Sequence, residues 1–113
     1  MNKTSLHNSV MRDLYELSLE ASRKKMQNLP DGALCAWSCI SDSLQTRISY
    51  LKEFDGENIE CRLLEFKLEL DGVISVLEEE LTESGSSDFD NAFKQILREA
   101  LTKLHNIQAL INQ

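Results

Sequence analysis

Proline occurs once in these 113 residues and glycine only four times, so the two residues that most often interrupt a helix are scarce. Their scarcity excludes a loop-rich chain and predicts long unbroken elements. Long apolar runs are also missing. The first twenty residues carry Lys3, Arg12, Asp13, Glu16 and Glu20 among their apolar positions, which leaves no apolar core for a signal peptide, and no later stretch approaches the length of a membrane span. A cytoplasmic protein is expected. Basic residues are in deficit: 12 Lys and Arg stand against 19 Asp and Glu, a formal net charge of −7. Affinity for a phosphate backbone rests on cations that displace condensed counterions, so direct binding of DNA or RNA is disfavoured. The three cysteines are an odd number without zinc-type spacing, which reads as free thiols in a reducing compartment rather than a disulfide framework.

What remains is ordinary for a globular domain, with 42% hydrophobic and 27% charged residues, and the length suits one domain able to bury its own core. Turn and cap chemistry concentrates in three places: Asn28-Leu29-Pro30-Asp31-Gly32, Asp55-Gly56-Glu57-Asn58 and Ser84-Gly85-Ser86-Ser87-Asp88. Pro30 cannot continue a helix, Gly32 and Gly56 can take a positive φ, and Asn58 or Ser87 can cap the helix that follows. Between these points apolar residues recur every three or four positions. The spacing predicts four helices, over about 5 to 28 (Leu6, Val10, Leu14, Leu17, Ala21), 33 to 54 (Trp37, Ile40, Leu44, Ile48, Leu51), 58 to 83 (Ile59, Leu63, Phe66, Leu70, Val73, Leu77, Leu81) and 88 to 112 (Phe89, Phe93, Ile96, Ala100, Leu104, Ile107, Ile111). No stretch alternates with period two, and no internal repeat is present.

Short turns between similar helices give an all-α, four-helix up-down-up-down bundle, or helical hairpins that complete a bundle across a dimer. In the simple bundle, the Arg23-Lys24-Lys25 cluster ending the first helix lies at the same end as Glu78, Glu79, Glu80 and Glu83 ending the third. The acidic cluster opposes its own helix dipole, so cross-helix pairing is expected to offset it, although solvated patches worth under about 1 kcal/mol per pair are the simpler reading.

The most informative feature is a surplus of apolar residues off the core stripes. At about 100° per residue, Cys61, Leu64, Leu68, Gly72 and Ser75 fall opposite Ile59, Phe66 and Leu77 on the third helix. On the first helix Met11, Tyr15, Leu19 and Met26 lie to one side of the stripe, and on the second Cys35 and Cys39 stand behind Trp37 and Leu44. Contiguous exposed apolar patches mark association sites, and Gly72 would permit close helix approach. Tyr15, Leu19, Leu64 and Leu68 are the interface candidates. The competing reading buries these wide stripes within the bundle.

Residues able to do chemistry are few. Cys35 and Cys39 are one turn apart without a third or fourth ligand, which fits small packing or interface residues better than a metal site. Cys35, near a helix start, is the thiol best placed to react. Cys61 sits roughly 17 Å along the hairpin from Cys39 at 1.5 Å per residue, too far for a disulfide. His7 and His105 would share one bundle end with Cys61, Glu57 and Glu60, a conceivable metal site but one without a local motif. By fold-level analogy alone, a bundle of this size could present a phosphorylatable histidine, but His105 is followed by Asn106-Ile107-Gln108-Ala109, which lacks the Lys and Gly such a site needs. No metal, cofactor or catalytic set is expected.

The chain therefore reads as a non-enzymatic protein-interaction module, a self-associating helical adaptor, chaperone or neutralising partner. Its partners would be a second copy or another protein's amphipathic segment. The alternatives are a histidine phosphotransfer bundle or an acidic nucleic-acid mimic that uses Glu65, Glu69, the Glu78-Glu79-Glu80 run, Glu83, Asp88 and Asp90 to occupy a basic groove.

Overall fold

A computed structural model of the chain describes residues 2–53 and 58–112. Four helices follow one another: α1 (Lys3–Lys24), α2 (Asp31–Glu53), α3 (Ile59–Glu83) and α4 (Asp88–Ile111), with no strand among the described residues. None of the helices is long and apolar enough to cross a membrane. The turn containing Asp55, Gly56 and Glu57 lies outside the described residues.

Caps set the helix starts. Asn2 opens α1 by accepting the Ser5 N–H at 2.7 Å, and Asn58 opens α3 by accepting that of Cys61 at 2.9 Å. Each satisfies a donor that has no partner inside its helix. Ser87 and Asp90 form a reciprocal pair at the start of α4: the Asp90 N–H donates to Ser87 Oγ, while the Ser87 N–H and hydroxyl both donate to Asp90 Oδ2. These hydrogen bonds hold the Asp90 carboxyl below the usual aspartate range. Two boundaries differ from the expected ones. α1 stops at Lys24, four residues short of the expected boundary, and Pro30 is followed at once by α2, so Asp31 and Gly32 lie inside a helix rather than in the turn. No described glycine has a positive φ.

The helices run alternately up and down. Lys3 is bonded to Glu60, which places the starts of α1 and α3 at one end, and Gly32 touches Phe89, which places the starts of α2 and α4 at the other. Stripes from all four helices meet in one core within the single chain, centred on Trp37, Ile40, Leu44, Phe66, Leu97 and Leu104. The pair in most extensive contact is α2 with α4, which run parallel, and α1 and α3 flank that pair. A glycine permits this. A Cβ on Gly32 would stand 2.1 Å from the Phe89 carbonyl oxygen, and Ala33 and Ala36 next to it are also buried. Small side chains let the two backbones approach at their N-terminal ends.

Three expectations about packing need correction. Helical spacing puts Phe89 on the core stripe of α4, but it is 47% exposed: its backbone carbonyl closes on Gly32 of α2, and its ring stacks on that of Phe93 with centroids 6.5 Å apart. Leu97, Leu101 and Ile74, outside the narrow stripes, are buried, since a helix touching two or three neighbours buries a wider face than one touching a single partner. Among the described residues, the basic Arg23-Lys24-Lys25 end of α1 forms no ion pair with the acidic end of α3, so the expected cross-helix pairing is not formed and the arrangement agrees with the simpler reading of two solvated patches.

Candidate functional site

The four interface candidates do not form one patch. Leu64 and Leu68, one turn apart on α3, are 56% and 54% exposed, and Cys61 and Ser75 on the same outward stripe are exposed as well. Leu19 is 51% exposed on α1. Because α1 and α3 start at the same end, Leu19 lies further along the bundle than Leu64 and Leu68, about 10 Å from Leu68 at 1.5 Å per residue. Tyr15 belongs to neither face: it packs against the core and its ring lies beneath the Lys52 ammonium at 4.9 Å, a contact in which the cation sits over the negative face of the ring. Met11 likewise packs on the core, whereas Met26 is open to solvent. Gly72 is not at a close contact, since the nearest atom to a methyl added there would be Arg47 Nη2 at 4.0 Å.

A polar seam flanks the α3 stripe. Arg47 on α2 pairs with Glu69 at 2.8 Å, and the Tyr50 hydroxyl donates to Glu65 at 3.3 Å. Desolvation and the Glu65 carboxylate push the Tyr50 phenol up. With Glu78 facing His105 Nε2 at 3.3 Å and Asp90 engaged by Ser87, several carboxylates of the acidic rows are held by partners within the chain.

The thiols are free and exposed, all three of them. Cys35 and Cys39 are thus not packing residues: the outer face of α2 carries them because α1, α3 and α4 cover its other sides. Partial burial, then the adjacent Cys35 thiol, raise the Cys39 pKa, with Glu80 and Asp42 adding to the effect. A raised pKa disfavours the thiolate, the nucleophilic form of Cys39.

The two histidines are separated. His7 rests on Phe66 with ring centroids 4.7 Å apart, whereas His105 reaches Glu78, twelve positions further along α3 and so about 18 Å away along the axis. A metal site joining them at one bundle end is not formed, and among the described residues no three His, Cys, Asp or Glu side chains gather into a candidate metal site. Glu57, the other acid expected at that end, lies outside the described residues. His7 Nε2 is buried without a hydrogen-bond partner among the described residues. His105 presents Nε2 to a carboxylate, which would repel an incoming phosphoryl group.

One concave feature is not evident from the sequence. Between α1 and α4 lies an open cleft of about 390 Å³ with the buried Leu17 and Ile107 at its base and Asp13, Glu16, Glu20, Lys103, Asn106 and Leu110 around them. Lys103 donates to Glu20 Oε2 at 2.5 Å across one end. Its elements are all visible in sequence; the offset between α1 and α4 that leaves a gap is not. Comparison of the chain with protein-family models, with curated proteins and with solved structures finds no match.

Proposed function

We propose that this protein is a non-catalytic interaction module that pairs with a second copy of itself through the outward face of α3. The observation that carries this reading is the stripe of Cys61, Leu64, Leu68 and Ser75, exposed and uncharged on a chain whose net charge is −7. Like-charged copies repel over most of their surfaces, so an uncharged apolar stripe is where contact costs least and where burying leucine gains most. A two-fold arrangement uses the same patch twice and needs no second partner surface. Leu19 lies at another level of the bundle and Tyr15 is already covered by Lys52, so the contact narrows to Leu64 and Leu68. The free thiols are compatible with a reducing, cytoplasmic setting.

Light scattering over a concentration series tests this directly, with Leu68→Glu as the comparison. Leu68 is more than half exposed, so the substitution is expected to leave helicity and monomer stability within about 0.5 kcal/mol of the parent. A charge in an apolar contact should weaken the dimer by tenfold or more, on the order of 1.4 kcal/mol. Monomeric parent protein at every concentration would sink the self-association reading and leave the stripe for another protein's amphipathic segment. High salt is a further discriminator: an apolar contact persists in it, whereas charge mimicry of nucleic acid weakens.

A further inference from the structure

We infer that the cleft between α1 and α4 binds a small organic cation with an aliphatic body. The cleft has two opposed edges built on the same helical step. Asp13, Glu16 and Glu20 line the α1 edge, and Lys103, Asn106 and Leu110 the α4 edge, each set spaced by three and four residues so that it projects along one line. The antiparallel register set by the Glu20–Lys103 bond then places Glu16 across from the neutral Asn106.

Charge along the cleft is unbalanced. Lys103 answers Glu20 at one end, and Asp13 has only a long 3.4 Å contact with Arg12, its own neighbour on α1. Glu16 forms no hydrogen bond or ion pair among the described residues. Two of the three carboxylates therefore face the cleft with no cation opposite them, above the buried side chains of Leu17 and Ile107. A bare inorganic cation would leave that apolar base unused, and a fatty acid would meet the carboxylates. An ammonium group on an aliphatic body satisfies both, with its N–H groups donating to Glu16 and its alkyl part on Leu17, Ile107 and Leu110.

Size points the same way. The volume falls in the range of small-molecule pockets, about 300–1,000 Å³. From Asp13 to Glu20 the cleft runs only about 10 Å at 1.5 Å per residue, too short to seat several turns of a partner's amphipathic helix. The cleft lies away from the outward stripe of α3, so this site and self-association stand or fall separately.

The test is amide chemical-shift mapping of the full chain with three probes: hexylammonium, methylammonium and hexanoate. Hexylammonium is expected to move amides of residues 13–20 and 103–110 saturably, while methylammonium and hexanoate leave them in place. Glu16→Gln should weaken hexylammonium about tenfold, the loss of one charge-assisted hydrogen bond. Glu16 is exposed, so that variant is expected to remain folded. Equal shifts with methylammonium would reduce the effect to charge screening and overturn the proposal. So would equal binding of hexanoate, shifts outside the cleft, or an unchanged Glu16→Gln affinity.

Discussion

Two seams made by the same helix are opposites. Where α4 meets α2, the backbones close until a single methyl has no room, at Gly32 and the Phe89 carbonyl. Where α4 meets α1, the helices part around a 390 Å³ cleft edged by long charged side chains. The difference lies in side-chain size along each contact. Gly32, Ala33 and Ala36 let α2 approach, while Glu16, Glu20 and Lys103 hold α1 at arm's length and keep their charged ends in water. The first seam gives rigidity, and the second leaves space that a ligand could fill.

The largest effect should come from forcing the closed seam open. Gly32→Ala is expected to lose about 2–3 kcal/mol in urea unfolding despite alanine's better helix propensity, because the atom it meets is backbone, which cannot rotate away. An unchanged midpoint would mean that the two helix starts separate at little cost.

Next comes the device that begins α4 just before Phe89. Ser87→Ala should cost on the order of 1 kcal/mol, the usual value of an N-cap, read by thermal melting. It should also change the acid limb of stability. The Asp90 carboxyl lies below its usual range through hydrogen bonds from Ser87. A depressed carboxylate contributes stability that is present above its unfolded pKa and is lost as pH falls through its folded one. The parent should therefore lose this contribution below about pH 4, and the variant should lose less over the same interval. Parallel pH profiles would contradict that account.

The smallest effect has the opposite sign. Gly72→Ala, at a helix-interior glycine whose added methyl meets only Arg47 Nη2 at 4.0 Å, should stabilise by about 0.5–1 kcal/mol. Set beside Gly32→Ala, it asks whether glycine is needed for space or merely present. Destabilisation at Gly72 would point to closer packing between α2 and α3 than 4.0 Å implies.

The sequence disclosed the parts of this fold that depend on nearby residues. Asn58 and Ser87 were readable as caps because a cap bonds within its own first turn. The stripes from Val10 to Ala21 and from Trp37 to Leu51 were readable because helical period alone places them on one face. What escaped depends on partners far along the chain. Pro30-Asp31-Gly32 has the composition of a turn, and only contact with Phe89 explains a glycine inside α2. Leu97 and Leu101 fell outside a single-partner stripe but face the several helices around α4. Of the candidate interface, Leu64 and Leu68 were correctly placed outside, whereas Tyr15 could not be separated from Leu19 without knowing that Lys52 reaches over its ring. The cleft required the offset of α1 on α4, which no periodicity encodes.

The parallel pairing of α2 with α4 also bears on how the chain reaches its native state. Each of these helices belongs to a different sequence-adjacent hairpin, so the most extensive contact among the described helices joins two hairpins rather than lying within one. Local hairpins close quickly, and long-range docking carries the larger loop-closure cost. A fragment holding α1 and α2 alone would expose the face that α4 covers, so it is expected to be less helical than the whole chain, which circular dichroism of the fragment would check.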